Sequence, residues 1–156
     1  MPNRKIRLGI FGGGGDSLIG ILHRIASSMH DNYEIVGGVF NPEHEQSLKF
    51  ARHLGLDESR VYKDYETFIN EEKKLDSEKR IEVVSVLTPN FLHFPMAKML
   101  LENDFHVICE KPLTTTYAEA KELFKIKESK DLVFAVTYTY TGYPMVRQMT
   151  KMVANG

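Results

Sequence analysis

The only thiol in the chain is Cys109, which excludes an internal disulfide and a zinc knuckle alike. The six histidines show neither HExxH nor HxH spacing, so no dedicated metal site is expected. No apolar run approaches membrane-spanning length. The basic N-terminus, MPNRKIRLGIF, meets the glycines within a few residues and lacks the apolar core of a signal peptide, so a cytoplasmic location is expected. Neither sign of charge dominates. Twenty Lys and Arg against 21 Asp and Glu leave a net charge of −1, which argues against nucleic acid as a partner. Internal repeats, low-complexity tracts and Gly/Ser linkers are also missing. What remains is one domain of ordinary size, 156 residues with 42% hydrophobic, enough for a packed core.

Strand-like and helix-like runs alternate almost from end to end. Residues 5–11 read as a buried strand, and apolar residues at 18, 19, 22, 25, 26 and 29 mark one face of a helix. A second strand (33–40) and a second amphipathic helix (43–54, ending at Gly55) follow. The next stretch gives a short strand at most, then a charged helix from about Asp64. The β-branched run IEVVSVL (81–87) is expected to be a central strand. Beyond it come a helix over 92–103, a strand over 105–110, a helix over 116–128 and a strand over 132–138. The last helix, from Pro144 to Ala154, sets Met145, Val146, Met149, Met152 and Val153 on one face, with Asn155-Gly156 as its stop. Repeated βα units with nearly continuous apolar strands predict an α/β fold, a doubly wound parallel sheet in three αβα layers.

The stretch GIFGGGGDSLIG (9–20) sits where the first strand turns into the first helix. Each glycine inside an element costs about 0.5–1 kcal/mol relative to alanine, so Gly12, Gly13, Gly14 and Gly15 imply a backbone that something approaches closely. A helix N-terminus offers unpaired N–H groups and partial positive charge, which suits a diphosphate. Gly12-x-Gly14 fills the first two positions of G-x-G-x-x-G, and Ser17 falls on the third, small enough for the same helix-packing role. No Gly-Lys-Ser/Thr follows, so the turn is not a Walker A loop. Asp16 and Ser17 complete a predicted dinucleotide-binding turn. At the end of the second strand stands Asn41, which either bonds a ribose hydroxyl or simply turns the chain before Pro42. No Lys or Arg follows before Lys49, which tilts the choice between NAD and NADP towards NAD.

Two further segments, TPNFLH (88–93) and CEKPL (109–113), lie at predicted strand ends, where Rossmann-type sheets place their ligands. Together with GGGGDSLIGILHR they resemble the glucose-fructose oxidoreductase / inositol dehydrogenase / rhizopine-catabolism (Gfo/Idh/MocA) family. The resemblance runs from Lys5 to Gly156 and covers that family's N-terminal domain. It implies NAD(P)-dependent hydride transfer on sugars, inositols and related hydroxyl compounds. It also implies that Lys111 lies beside the nicotinamide and the reacting hydroxyl. A cleft lysine whose pKa falls towards neutrality can accept the hydroxyl proton, and when protonated it steadies a developing alkoxide. The common fate of a lysine is the solvated surface, and only the motif lifts Lys111 above it.

The resemblance further implies an unusual geometry at Pro112, expected as a cis Lys111–Pro112 bond, and places Thr88, Pro89 and Asn90 against the cofactor's ribose and phosphates. Asn90 is also a candidate N-cap for the helix beginning at Phe91-Leu92. His93 matches the family pattern, with packing or solvent exposure as its other reading. Glu110 is a candidate to balance the lysine charge, although neighbours on an extended chain point to opposite sides. His23 and Arg24 read as helix residues with local contacts, and Cys109 as an inert core thiol. Tyr138 and Tyr140 alternate along the last strand and either line the nicotinamide pocket or close the sheet edge.

The expected division is a dinucleotide-binding domain over 1–142 and a helix over 143–156 that leads towards a substrate domain. The family's second domain supplies the other wall of the active site, so the chain alone is expected to be inactive. Two classes stay open: the cofactor half of an oxidoreductase, and a non-catalytic dinucleotide-binding module for redox sensing or docking. Lys111 favours the first. The methionine face of the last helix makes a homo-oligomer a further expectation.

Overall fold

A computed structural model of the chain describes residues 4–156; the first three residues of the basic N-terminus lie outside the described residues. Five strands form one wholly parallel sheet: β1 (Ile6–Gly12), β2 (Tyr33–Val39), β3 (Val83–Leu87), β4 (His106–Cys109) and β5 (Phe134–Val136). Their order is β2-β1-β3-β4-β5. The chain therefore builds outwards from β1 in one direction, then crosses over and builds in the other. Between β1 and β3 the direction reverses, which opens a crevice at the carboxyl ends of those strands.

Helices α1 (Leu18–Ser28) and α2 (His44–Leu54) pack on one face through Ile19, Leu48, Phe50 and Ala51, against Leu8, Ile10, Val83 and Leu87. On the other face lie α3 (Tyr65–Glu72), α4 (His93–Glu102) and α5 (Tyr117–Glu128), which bury Phe68, Leu100, Leu101 and Leu123 against Phe11, Val84, Val86 and Val107. Alternation along β3 sends residues 83 and 87 to one core and 84 and 86 to the other, as a doubly covered strand requires. Phe68 is the centre of the larger core, with Phe11, Tyr62 and Phe105 at ring distances of 4.8, 5.3 and 5.4 Å.

Local chemistry sets the helix ends. Asp64 accepts the Thr67 amide at 2.7 Å and caps α3, and Thr116 with Glu119 forms a reciprocal capping box on α5. Gly55, at φ 69°, closes α2 in the left-handed conformation. The short strand expected near Val61 is a single bridge to Gly38. The last strand is shorter than its apolar pattern predicts. After Val136, an inverse γ-turn centred on Tyr138 (φ −79°, ψ 73°) joins the Thr139 amide to the Thr137 carbonyl at 3.0 Å and ends the ladder. Tyr138 and Tyr140 therefore do not alternate on a strand but sit exposed at the following 3-10 turn. The final helix, α6 (Pro144–Asn155), leaves Met145, Met149 and Met152 exposed. Among the described residues no helix is long and apolar enough to cross a membrane.

One buried charge ties the crossover from α3 into β3. The Glu72 carboxylate, wholly buried, accepts bonds from Tyr62 at 2.6 Å, from the Arg60 guanidinium at 2.7 Å and from the Ile81 amide at 2.8 Å. Glu72→Ala removes the acceptor of the half-buried Arg60, of Tyr62 and of the Ile81 amide, and we expect it to destabilise the fold by about 1–3 kcal/mol. Urea denaturation measures this; an unchanged midpoint would remove Glu72 from the framework.

Candidate active site

The glycine turn between β1 and α1 is shaped by close approach on three sides. A Cβ on Gly12 would stand 2.8 Å from the Leu87 carbonyl oxygen, and one on Gly13 would stand 2.8 Å from the Leu87 side chain. On Gly14 it would meet the Phe40 carbonyl oxygen at 2.7 Å. Gly15 differs. Its φ is +56° and nothing lies within 4 Å, so its backbone faces open space. Ser17 does not take the helix-packing role assigned to it by spacing, because it caps α1 by accepting the Gly20 amide at 3.2 Å. Packing falls instead to Gly20, where a Cβ would sit 1.9 Å from the Gly13 carbonyl oxygen. The signal was in plain view as a glycine inside a helix, a position that costs stability unless something packs there.

A cavity of about 640 Å³ opens beside this turn, lined by Gly14, Gly15, Asp16, Asn41, Arg24 and Lys49 among others. Its size is that of a small-molecule site. Asn41 acts as a turn residue, its Oδ1 accepting the Glu43 amide at 2.9 Å, and it also borders the cavity. Arg24 is not merely local. Its Nη1 donates to the Gly13 carbonyl at 2.9 Å and its guanidinium lies 4.8 Å over the Phe50 ring, so one side chain steadies the turn and spans α1 to α2.

The loop after β3 approaches the crevice from the other side. Thr88 is buried, and its Oγ1 has no hydrogen-bond partner among the described residues. A buried hydroxyl without a partner at a strand's carboxyl end fits a ligand that supplies one. Pro89 and Asn90 are exposed. Asn90 does not cap the helix, since it opens a 3-10 turn whose cap, Pro89, makes no side-chain bond. His93 is 1% exposed, with Nε2 2.9 Å from the Thr88 carbonyl and Nδ1 2.7 Å from the Pro112 carbonyl. Both ring nitrogens thus face backbone oxygens, and a neutral imidazole, with one N–H, donates to one of the two. The ring sits between the Thr88 and Pro112 loops.

The loop after β4 carries Glu110, Lys111 and Pro112, and the Lys111–Pro112 peptide is cis. Lys111 is exposed, whereas Glu110 is buried, so the two side chains part as extended neighbours do. Glu110 does not balance the lysine charge. Its Oε1 accepts from Thr137 Oγ1 at 2.6 Å and from His23 Nε2 at 2.9 Å, and its Oε2 accepts the Lys111 backbone amide at 3.0 Å. His23 therefore reaches 87 positions along the chain, a contact that helix periodicity had no means to reveal. Burial disfavours the Glu110 charge, but the bonds from Thr137, His23 and the Lys111 amide outweigh it and hold the carboxyl below its ordinary range. Cys109, beside it, is fully buried; burial and the Glu110 charge push its thiol up to about 12, which leaves it inert. No cluster of metal-ligating side chains occurs among the described residues.

Two measurements follow from this geometry. Gly20→Ala should cost more than Gly15→Ala: about 1–3 kcal/mol or more for the forced clash, against about 1–2 kcal/mol for a left-handed residue in open space. Equal urea midpoints would contradict the packing account. The second concerns pH. A carboxyl lowered in the folded state adds stability that is complete above its unfolded pKa and lost as pH falls through the lower folded value. Glu110→Gln should therefore flatten the acid limb of the stability–pH curve, and an unchanged limb would count against the Glu110 bonds.

Comparison with known proteins identifies the family. Residues 6–138 match the family model described as an oxidoreductase family with an NAD-binding Rossmann fold. The chain is 38% identical over 156 residues to the uncharacterized oxidoreductase YfiI of Bacillus subtilis, covering 99% of itself and 39% of that protein. An oxidoreductase structure from Sinorhizobium meliloti superposes with a TM-score of 0.90 at 46% identity, over 99% of this chain and 42% of the other. A structure of an inositol dehydrogenase homolog from Azotobacter vinelandii, complexed with NADH and myo-inositol, superposes with a TM-score of 0.93 at 37% identity, over 99% of this chain and 40% of the other. The chain thus spans about two fifths of the length of these relatives. By its glycine turn, its sheet and this match, the chain belongs to the Gfo/Idh/MocA oxidoreductase family, of which it forms the NAD-binding Rossmann domain.

Proposed function

We propose that this chain is the cofactor half of a dehydrogenase that oxidises a secondary hydroxyl of a sugar, an inositol or a related polyol. The observation that carries the reading is the convergence of three loops at the β1/β3 crevice. They are the open Gly15 turn, the Thr88 loop with its unpartnered hydroxyl, and the Glu110–Pro112 loop, with His93 between the last two. The Azotobacter relative, which holds NADH and myo-inositol, supports the same substrate class.

In this reading the diphosphate lies against residues 12–17, where the first turn of α1 presents backbone N–H groups. Thr88 donates its free hydroxyl to the ribose or phosphate, beside Pro89 and Asn90, and Asn41 meets the adenosine ribose. NAD is the proposed cofactor, with NADP as the competitor. Arg24, with one of its five N–H groups on the Gly13 carbonyl, and Lys49 line the same cavity as Asn41, which is why NADP stands as the competitor. A dinucleotide held by residues 12–17 would supply the acceptor for the hydride of the carbinol carbon. Lys111 Nζ takes the hydroxyl proton and, once protonated, stabilises the developing negative charge on oxygen. Pro112 and Glu110 set the backbone on either side of Lys111.

Positioning of the reacting carbon can contribute about 7–11 kcal/mol of barrier lowering, and a Rossmann domain presents one wall of the required cleft. On its own, the 156-residue chain should therefore bind the dinucleotide without turning over substrate. Calorimetric titration with NAD and NADP is expected to show binding, with NAD the tighter. Absence of binding by either at millimolar concentration would refute the diphosphate reading, and tighter NADP would reverse the cofactor choice. An assay of the chain with inositols, sugars and sugar acids is expected to give no reduction of NAD(P). Turnover that disappears in Lys111→Ala would overturn the one-wall argument while upholding the lysine.

A further inference from the structure

The Glu110 carboxylate is joined to three separate parts of the molecule. The Thr137 hydroxyl comes from the loop after β5, His23 from the middle of α1, and the Lys111 amide from its own loop. A carboxylate only accepts, so the 2.9 Å contact at Oε1 is a bond donated by the His23 Nε2–H. The Glu110 side chain is 11% exposed and that of His23 16%, which shields the pair from solvent. Oε2 bonds the amide of the very next residue, so the orientation of the carboxylate and the peptide plane leading into Lys111 are set together. His23 stands five positions into α1, the helix whose N-terminus abuts the glycine turn and whose Gly20 packs on Gly13.

The hydrogen bonds therefore run without a break from α1 through Glu110 to the Lys111 backbone. We propose that His23, Glu110 and Thr137 form a positioning unit that orients the Lys111 backbone, and the lysine with it, at the nicotinamide end of the site. None of the three touches ligand in this scheme; Lys111 is the group they place. The inference rests on the dinucleotide reading given above.

A purely structural role for this unit would make any variant weaken all ligands of the turn alike. A role in positioning Lys111 acts on the nicotinamide end alone. The test compares NADH with ADP-ribose, which keeps the adenosine, the diphosphate and the second ribose but lacks the nicotinamide ring. Calorimetry on the intact chain should show NADH binding weakened about tenfold in His23→Ala, within the usual range of intramolecular coupling, with ADP-ribose changed less than twofold. His23→Gln, which restores an N–H donor, should recover most of the NADH affinity. Thr137→Val, which removes one donor while keeping the side chain's shape, provides the same comparison if His23→Ala does not fold. Equal loss for both ligands, or no loss for either, would overturn the positioning role. Wild-type protein that binds neither ligand would instead refute the dinucleotide reading itself, and the positioning role with it.

Discussion

The close approach of α1 to the glycine turn is the constraint from which the rest of the site follows. Gly20 leaves no room between helix and turn for even one methyl group, and Gly12 and Gly13 allow the turn to lie against Leu87 at the end of β3. Because β1 and β3 are neighbours and the strand order reverses between them, this contact sits at the mouth of the crevice. The turn is thus held from below by the sheet and from the side by α1, which leaves Gly15 as its open part. Three of the four glycines serve packing, and one faces space that a ligand can use.

Two buried carboxylates do different work in this framework. Glu72 is surrounded by Arg60, Tyr62 and the Ile81 amide, all of them on the crossover that brings the chain from the edge of the sheet back to its centre. The carboxylate itself is wholly buried, and only the Arg60 side chain reaches solvent. Glu110 lies at the carboxyl end of β4, and its partners come from three separate elements. Desolvation raises the cost of both charges, and only a full set of donors makes either tolerable. The difference in purpose is one of place: Glu72 lies within the core, Glu110 directly beneath the loop that carries Lys111.

His93 shows how a residue type can suggest a ligand contact while its surroundings deny one. A histidine after a TPN turn, in a chain of this family, reads as a cofactor contact until both ring nitrogens are seen facing carbonyl oxygens. It is buried between the Thr88 loop and the Pro112 loop, within hydrogen-bond distance of both. Arg24 and His23 are the complementary case. On a helical wheel they are two polar residues near an exposed face, yet one reaches back to Gly13 and the other across to Glu110. The tyrosines after β5 are a third case, because the alternating pattern continues past the point where the backbone turns at Tyr138.

Alternating apolar runs, helix caps and the glycine turn are local features, and local physics is enough to read them. The 3.6-residue and two-residue periodicities come from backbone geometry, and the caps from short-range hydrogen bonding. From these the sequence by itself determined the parallel α/β sheet, its helices to within a few residues, the turn at 12–17 and the strand-end loops that carry Thr88 and Lys111. Only the tertiary structure decided that Gly20 rather than Ser17 packs on the turn, that His93 is buried between two loops, and that Glu110 answers to His23 and Thr137 instead of to Lys111. Those pairings join residues up to 87 positions apart, and their strength depends on burial that no neighbouring residue encodes.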